Sequence, residues 1–135
     1  MNEASRTYED GTLLWDVIQQ MVAMMNEESV RKEHINNAIQ LSVGYKMTDI
    51  NFDHTIEIKD GYLHVNLGLQ EDNQVVIDIS SQDFHDLNIG TLNPTKALVQ
   101  KRLKFLKGNI KQVILAGNMP TMFYYQEACK LKNII

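Results

Sequence analysis

A chain of 135 residues with 44% hydrophobic and 22% charged residues is long enough for one folded domain and too apolar to be disordered. Its net charge of −4 argues against general nucleic-acid binding, and its single cysteine, Cys129, excludes an internal disulfide or a cysteine cage for zinc. No apolar run approaches the roughly 20 residues that span a bilayer, and residues 1–10 lack the apolar core of a signal peptide, so a cytoplasmic location is expected.

Residues 1–10 are polar and are expected to fray, leaving 11–135 as a single domain. Thr12 is placed to cap a helix running to about Asn26. At ~100° per residue its apolar side chains, from Leu13 through Met25, fill an arc of about 200°, wider than the ~100° that one surface helix needs. The excess implies contact with a second element, another subunit or a ligand. Glu27 to Asn36 reads as a charged connector with at most one helical turn.

The period then changes to two. Ile39, Leu41, Val43, Tyr45 and Met47 alternate with polar or small residues, which predicts a strand with one wet face. Phe52, His54, Ile56 and Ile58 share one side of a second strand. Asp60-Gly61 is a two-residue hairpin signal, and Leu63, Val65, Leu67 and Leu69 mark the return strand. Val75, Ile77 and Ile79 mark a fourth strand, and the four are expected to form a meander.

The stretch from Ser81 to Asn109 is the most strongly punctuated. Ser80 and Asp83 have helix-start spacing, and Gly90 stops that helix. Asn93-Pro94 starts another, as cap and first residue. Leu103 and Phe105 alternate with Arg102 and Lys104 in a fifth strand. Beyond Gly108-Asn109, Ile110 to Ala116 is a short helix candidate that Gly117 breaks. Thr121 to Lys132 reads as a terminal helix, followed by an apolar Ile134-Ile135 tail. Strands in a run with segregated helices indicate an α+β layer fold, a five-stranded mostly antiparallel sheet covered on one face.

Charge is unevenly spread. From Leu87 to Gln126 there is no Asp or Glu, but Lys96, Lys101, Arg102, Lys104, Lys107 and Lys111 all fall there. Such a block is either a solvated face or a patch for an anionic membrane surface or acidic head group.

Nucleotide-binding and nucleophile-elbow motifs are absent, and His34, His54, His64 and His85 lack metal-ligand spacing. His54 faces inward, His64 falls on the polar face of its strand, and His85-Asp86 is placed on an exposed helix turn. Cys129 beside Lys130 reads as a core or boundary thiol rather than a reactive one. No Ser, Cys or Lys has a visible base partner, so no catalytic residue, metal or cofactor is expected.

Taken in order, several runs resemble the sterol carrier protein 2-like family over roughly residues 38–120. They are Ile58-Lys59-Asp60-Gly61, Val76-Ile77-Asp78-Ile79-Ser80, Asp83-Phe84 with Leu87 and Gly90, Leu92 to Ala97, Leu103-Lys104-Phe105 and Gly108-Asn109. Two departures stand out. Lys101 occupies the place where the family usually has glycine, and Leu103 to Gly108 is one residue longer than the pattern, as a β-bulge would make it. The resemblance implies a five-stranded sheet with helices on one side, enclosing an apolar cavity. It also implies binding, and transfer, of fatty acid, fatty acyl-CoA or sterol-like lipids without chemistry.

Together with the apolar helical arcs, it points to a ligand wall of Trp15, Ile18, Met21, Val22, Met25, Leu67, Phe84, Leu98, Leu103, Phe105, Met119, Met122 and Phe123. For each of these, plain core is the competing reading. Lys101, Arg102, Lys104 and Lys107 are the candidates for a lipid head group or for transient contact with anionic membrane. The alternative function is a protein-interaction or dimerisation module with a filled core, in which the same apolar faces meet a second copy or an enzyme. A third is an enzyme for an apolar substrate with His54 or His85 as base.

Overall fold

The computed structural model describes residues 6–114 and 119–135. The elements in chain order are α1 (Gly11–Met25), α2 (Glu28–His34), β1 (Leu41–Met47), β2 (Phe52–Lys59), β3 (Tyr62–Leu67) and β4 (Val75–Ile79). They continue with α3 (Ser81–Ile89), α4 (Pro94–Val99), β5 (Leu103–Lys107), α5 (Ile110–Ile114) and α6 (Thr121–Leu131). The five strands form one sheet in the order β3-β2-β1-β4-β5. All neighbours are antiparallel except β1 and β4, which run parallel with Val43 opposite Val75. The fold is α+β and mostly antiparallel, but it is not the expected four-strand meander. Strand β4 crosses over to the far side of β1.

The register sets one apolar face. Val43 stands opposite Ile56, and Ile56 opposite Val65; Tyr45 stands opposite His54, and Ile77 opposite Phe105. Helix α1 lies over this face and packs on α6 and β3. It buries Leu14, Val17, Ile18, Met21, Val22 and Met25, each worth roughly 1.5–3 kcal/mol of transfer free energy. The wide apolar arc of α1 is thereby accounted for, since one side meets the sheet and the other meets α6. The cap is Asp10, whose carboxylate accepts from the Thr12 amide, rather than Thr12 itself. The charged connector contains a two-turn helix, α2, held by a Lys32–Glu28 pair across one turn.

The opposite face of the sheet is covered where a wet face was expected. The Gly68–Gln74 connection folds back over the middle of β1 and β2. Thr55 Oγ1 donates to the Gly68 carbonyl at 2.9 Å, and the Asn73 side chain, fully buried, donates to Thr55 Oγ1 and accepts from the Gln70 amide. Gly44 makes this approach close. A Cβ there would stand 2.7 Å from Leu69 Cδ2 and 2.8 Å from Asn73 Oδ1. Ser42 completes the seam through its hydroxyl and amide to Asp72 and Gln74.

The punctuated stretch folds as its local signals dictate. Ser80 caps α3 by accepting from the Asp83 amide, and Gly90 closes it in the left-handed conformation at φ 86°. The Asn93 side chain accepts from the Thr95 and Lys96 amides at the start of α4. Lys101, standing in the usual glycine's place, takes φ 59°, a conformation that costs a side-chain-bearing residue roughly 1–2 kcal/mol. Leu106 is the extra residue of a bulge: Ile77 pairs with Phe105 and Val76 with Lys107. Leu103 and Phe105 therefore face the core, and Leu106 faces solvent.

Candidate functional site

Beneath the helices, the sheet's apolar face is not filled everywhere. A partly open pocket of about 250 Å3 lies over the centre of β1 and β2. Its floor is Leu41, Val43 and Tyr45 of β1, with Ile56 and Ile58 of β2. Leu63 of β3 closes one side. Met21 of α1, Val113 of α5, Met119 and Thr121 complete the lining. The volume is just below the roughly 300–1,000 Å3 of typical small-molecule sites. The walls offer shape and apolar area; among the described residues no group of His, Cys, Asp and Glu is arranged to hold a metal ion.

Of the residues expected as ligand wall, Met21 and Met119 line the pocket. Ile18, Met25 and Phe84 lie in the packed core, and Val22 is buried beside a separate, shallow depression on β3. Trp15 is half-buried with its ring 6.1 Å from that of Phe52. Leu98, Leu103 and Phe105 are half-buried. Leu67, Met122 and Phe123 are exposed. The strand residues of the floor were legible as an inward face, but periodicity does not say which part of that face the helices leave bare.

The expected head-group residues divide. Lys101, Lys104 and Lys107 are exposed. Arg102 is instead tied to α3, with its Nε 3.1 Å from Asp83 Oδ1 and a second guanidinium nitrogen on the same oxygen. In the same acid-free window, Val99, Leu106, Ile110, Ile114, Met122 and Phe123 are exposed apolar residues. The elements α5 and the start of α6, which give Val113 and Thr121 to the pocket, carry the exposed Lys111 and the exposed apolar Ile110, Ile114, Met122 and Phe123.

Two histidines are buried, with different surroundings. His85 was expected on an exposed turn but is buried, because α6 and the segment before α1 cover that side of α3. Its Nδ1 lies 2.9 Å from Tyr125 Oη, which lies 2.6 Å from Tyr8 Oη. Cys129 Sγ is 3.9 Å from the Tyr8 hydroxyl. Burial lowers the pKa of His85 against the opposing charge of Asp86, and burial raises those of Tyr8, Tyr125 and Cys129. Tyr8 thus anchors a segment expected to fray, helped by the Thr7 amide on Gln82 Oε1.

His54 is fully buried and neither ring nitrogen has a hydrogen-bond partner among the described residues. It is stacked on Tyr45 and Phe52 at centroid distances of 5.0 and 5.2 Å, with Phe84 edge-on at 5.9 Å. Burial in this aromatic cage lowers its pKa to about 3. Tyr45 links it to the pocket floor.

A search of curated proteins finds no significant match. Among solved structures, the sterol carrier protein domain 2 of Helicoverpa armigera superposes with a TM-score of 0.55 at 22% identity, covering 96% of this chain and 94% of that one. Palmitated SCP2L2 from Aedes aegypti superposes with a TM-score of 0.53 at 16% identity, over 75% and 88%. The inverting sec-alkylsulfatase Pisa1 from a Pseudomonas species matches with a TM-score of 0.57 at 14% identity over 68% of this chain, which spans only 14% of the sulfatase's length. These likenesses show a shared fold. The sequence of residues 22–116 matches the SCP-2 sterol transfer family, and the chain belongs to that family.

Proposed function

We propose that this protein binds the apolar part of a lipid in the pocket over β1 and β2 and transfers it, without catalysing a reaction. The single observation that carries the reading is the pocket itself, partly open and lined by apolar side chains apart from Tyr45 and Thr121. Family membership supports lipid or sterol binding and transfer in general. The palmitated state of the Aedes aegypti neighbour supports a fatty-acyl ligand, alongside fatty acyl-CoA and sterols. Burial of apolar area contributes roughly 25 cal/mol per Å2, so a hydrocarbon chain needs few directed contacts. The exposed cations Lys101, Lys104 and Lys107, with Ile110, Ile114, Met122 and Phe123, fit a brief encounter with an anionic membrane during loading, in the cytoplasm.

Native mass spectrometry of the delipidated chain with palmitate or a sterol tests the binding. A one-to-one adduct is expected, and Ile56→Trp, which fills the floor, lowers its yield more than tenfold while the fold persists. No adduct with any lipid removes the proposal. Sedimentation with vesicles tests the encounter: salt-sensitive binding to anionic vesicles and none to neutral ones is expected.

A second reading is favoured by one observation. The sulfatase carries this fold as a small part of a larger enzyme. The exposed Leu67, Leu131 and Ile135 then belong to a surface that docks a second copy or an enzyme. A dimer by analytical ultracentrifugation, with no lipid adduct, would select it.

A further inference from the structure

The pocket's polar content is small and uncharged. Only Tyr45 and Thr121 among its lining residues carry a side-chain oxygen or nitrogen, and none is charged. Burial alone raises the pKa of Tyr45 to about 12, so its hydroxyl remains a protonated donor. That hydroxyl meets no hydrogen-bond partner among the described residues.

The ring of Tyr45 is held in place from behind. It lies 15° from the plane of His54, with Phe84 edge-on at 5.2 Å. His54 is neutral near pH 7 and adds no positive charge to the floor. A carboxylate drawn to this floor would lose its hydration and meet no cation. A hydroxyl or carbonyl would exchange one bond with water for one with Tyr45.

We propose that Tyr45 determines the specificity of the pocket, selecting lipids whose buried end is a neutral hydroxyl or carbonyl over lipids whose buried end is a carboxylate. The inference rests on the lipid-binding reading above and names the ligand class of that site. It differs from a tail-first arrangement, in which a carboxylate stays outside the pocket in solvent and Tyr45 plays no part.

Three chain-matched probes decide between them: 1-decanol, decanoate and decane. Each is offered to the delipidated full chain at pH 8, with affinity read by calorimetry and adducts by native mass spectrometry. Decanol is expected to bind about tenfold or more tightly than decanoate. Tyr45→Phe should weaken decanol about 3- to 10-fold and leave decane unchanged, the loss of one neutral hydrogen bond. Decanoate binding as tightly as decanol, or Tyr45→Phe leaving decanol unchanged, overturns the role of Tyr45 while lipid binding stands. Binding of none of the three overturns both. Should Tyr45→Phe not fold, the decanol-to-decanoate ratio of the native chain decides alone.

Discussion

The protein sets two tyrosine–histidine pairs in its interior, one fully buried and one with a half-buried tyrosine, and treats them in opposite ways. At Tyr125 and His85 the polar atoms find one another, and Tyr8 completes the chain of bonds. At Tyr45 and His54 the rings stack face to face, and both imidazole nitrogens are left buried without partners among the described residues. The first cluster joins three segments far apart in sequence. The second lies against the pocket floor. A polar group satisfied within the chain stabilises the fold; one buried without a partner, as at His54, lowers stability, and one lining a pocket, as at Tyr45, is available to a ligand.

The contrast breaks most visibly at Tyr125. Tyr125→Phe leaves the Tyr8 hydroxyl and His85 Nδ1 buried without their shared partner and is expected to cost about 2–4 kcal/mol. Urea unfolding measures it, and a loss below about 1 kcal/mol would mean the cluster contributes little. Tyr45→Phe, by contrast, should change stability by less than about 0.5 kcal/mol, since no internal bond is lost.

Next in size is a pH effect at His54. Between its folded pKa of about 3 and the ordinary value of 6.5, the unfolded chain takes up a proton that the folded chain refuses. Stability therefore falls as the pH falls through that window, by up to about 1.4 kcal/mol per pH unit. His54→Phe, which keeps a ring between Tyr45 and Phe52, should flatten much of this slope between pH 6.5 and 4. The part due to His85, whose pKa is also lowered, remains. At pH 7 the same substitution should raise stability by about 1 kcal/mol, because two unpartnered nitrogens disappear. Parallel denaturation series at several pH values give both numbers, and identical slopes for the two proteins would contradict the assignment.

The smallest expected effect lies outside both clusters. Lys101→Gly relieves a left-handed side-chain-bearing residue and should stabilise by less than about 1 kcal/mol, visible as a small rise in Tm. A decrease in Tm would show that the stem of Lys101 contributes packing.

What the sequence disclosed follows the range of the forces involved. Ser80, Gly90, Asn93 and Pro94 act on amides a few residues away, so their caps were legible residue by residue. The surplus residue near Leu106 was legible as a bulge because the run is one residue longer than the pattern of the family it resembles. The place of β4 beside β1 was not, because alternation in Val75, Ile77 and Ile79 fixes a face and says nothing about a neighbour. The burial of His85 depends on Tyr8 and Tyr125, at separations of 77 and 40 residues, and Asp86 beside it suggested solvent. The pocket is the least legible feature, since it is defined by what α1, α5 and α6 fail to cover.

The Gly68–Gln74 connection has a consequence in time as well as in space. Strands β1, β2 and β3 are joined by short turns and can pair from contacts close in sequence. Strand β4 reaches β1 by way of this connection, which packs over Thr55 and Gly44, with Val75 meeting Val43 from 32 residues away. Long-range closure of this kind sets the pace of folding. Lengthening the connection should therefore slow refolding more than it accelerates unfolding. The rate at which the sheet completes is thereby tied to one seven-residue loop.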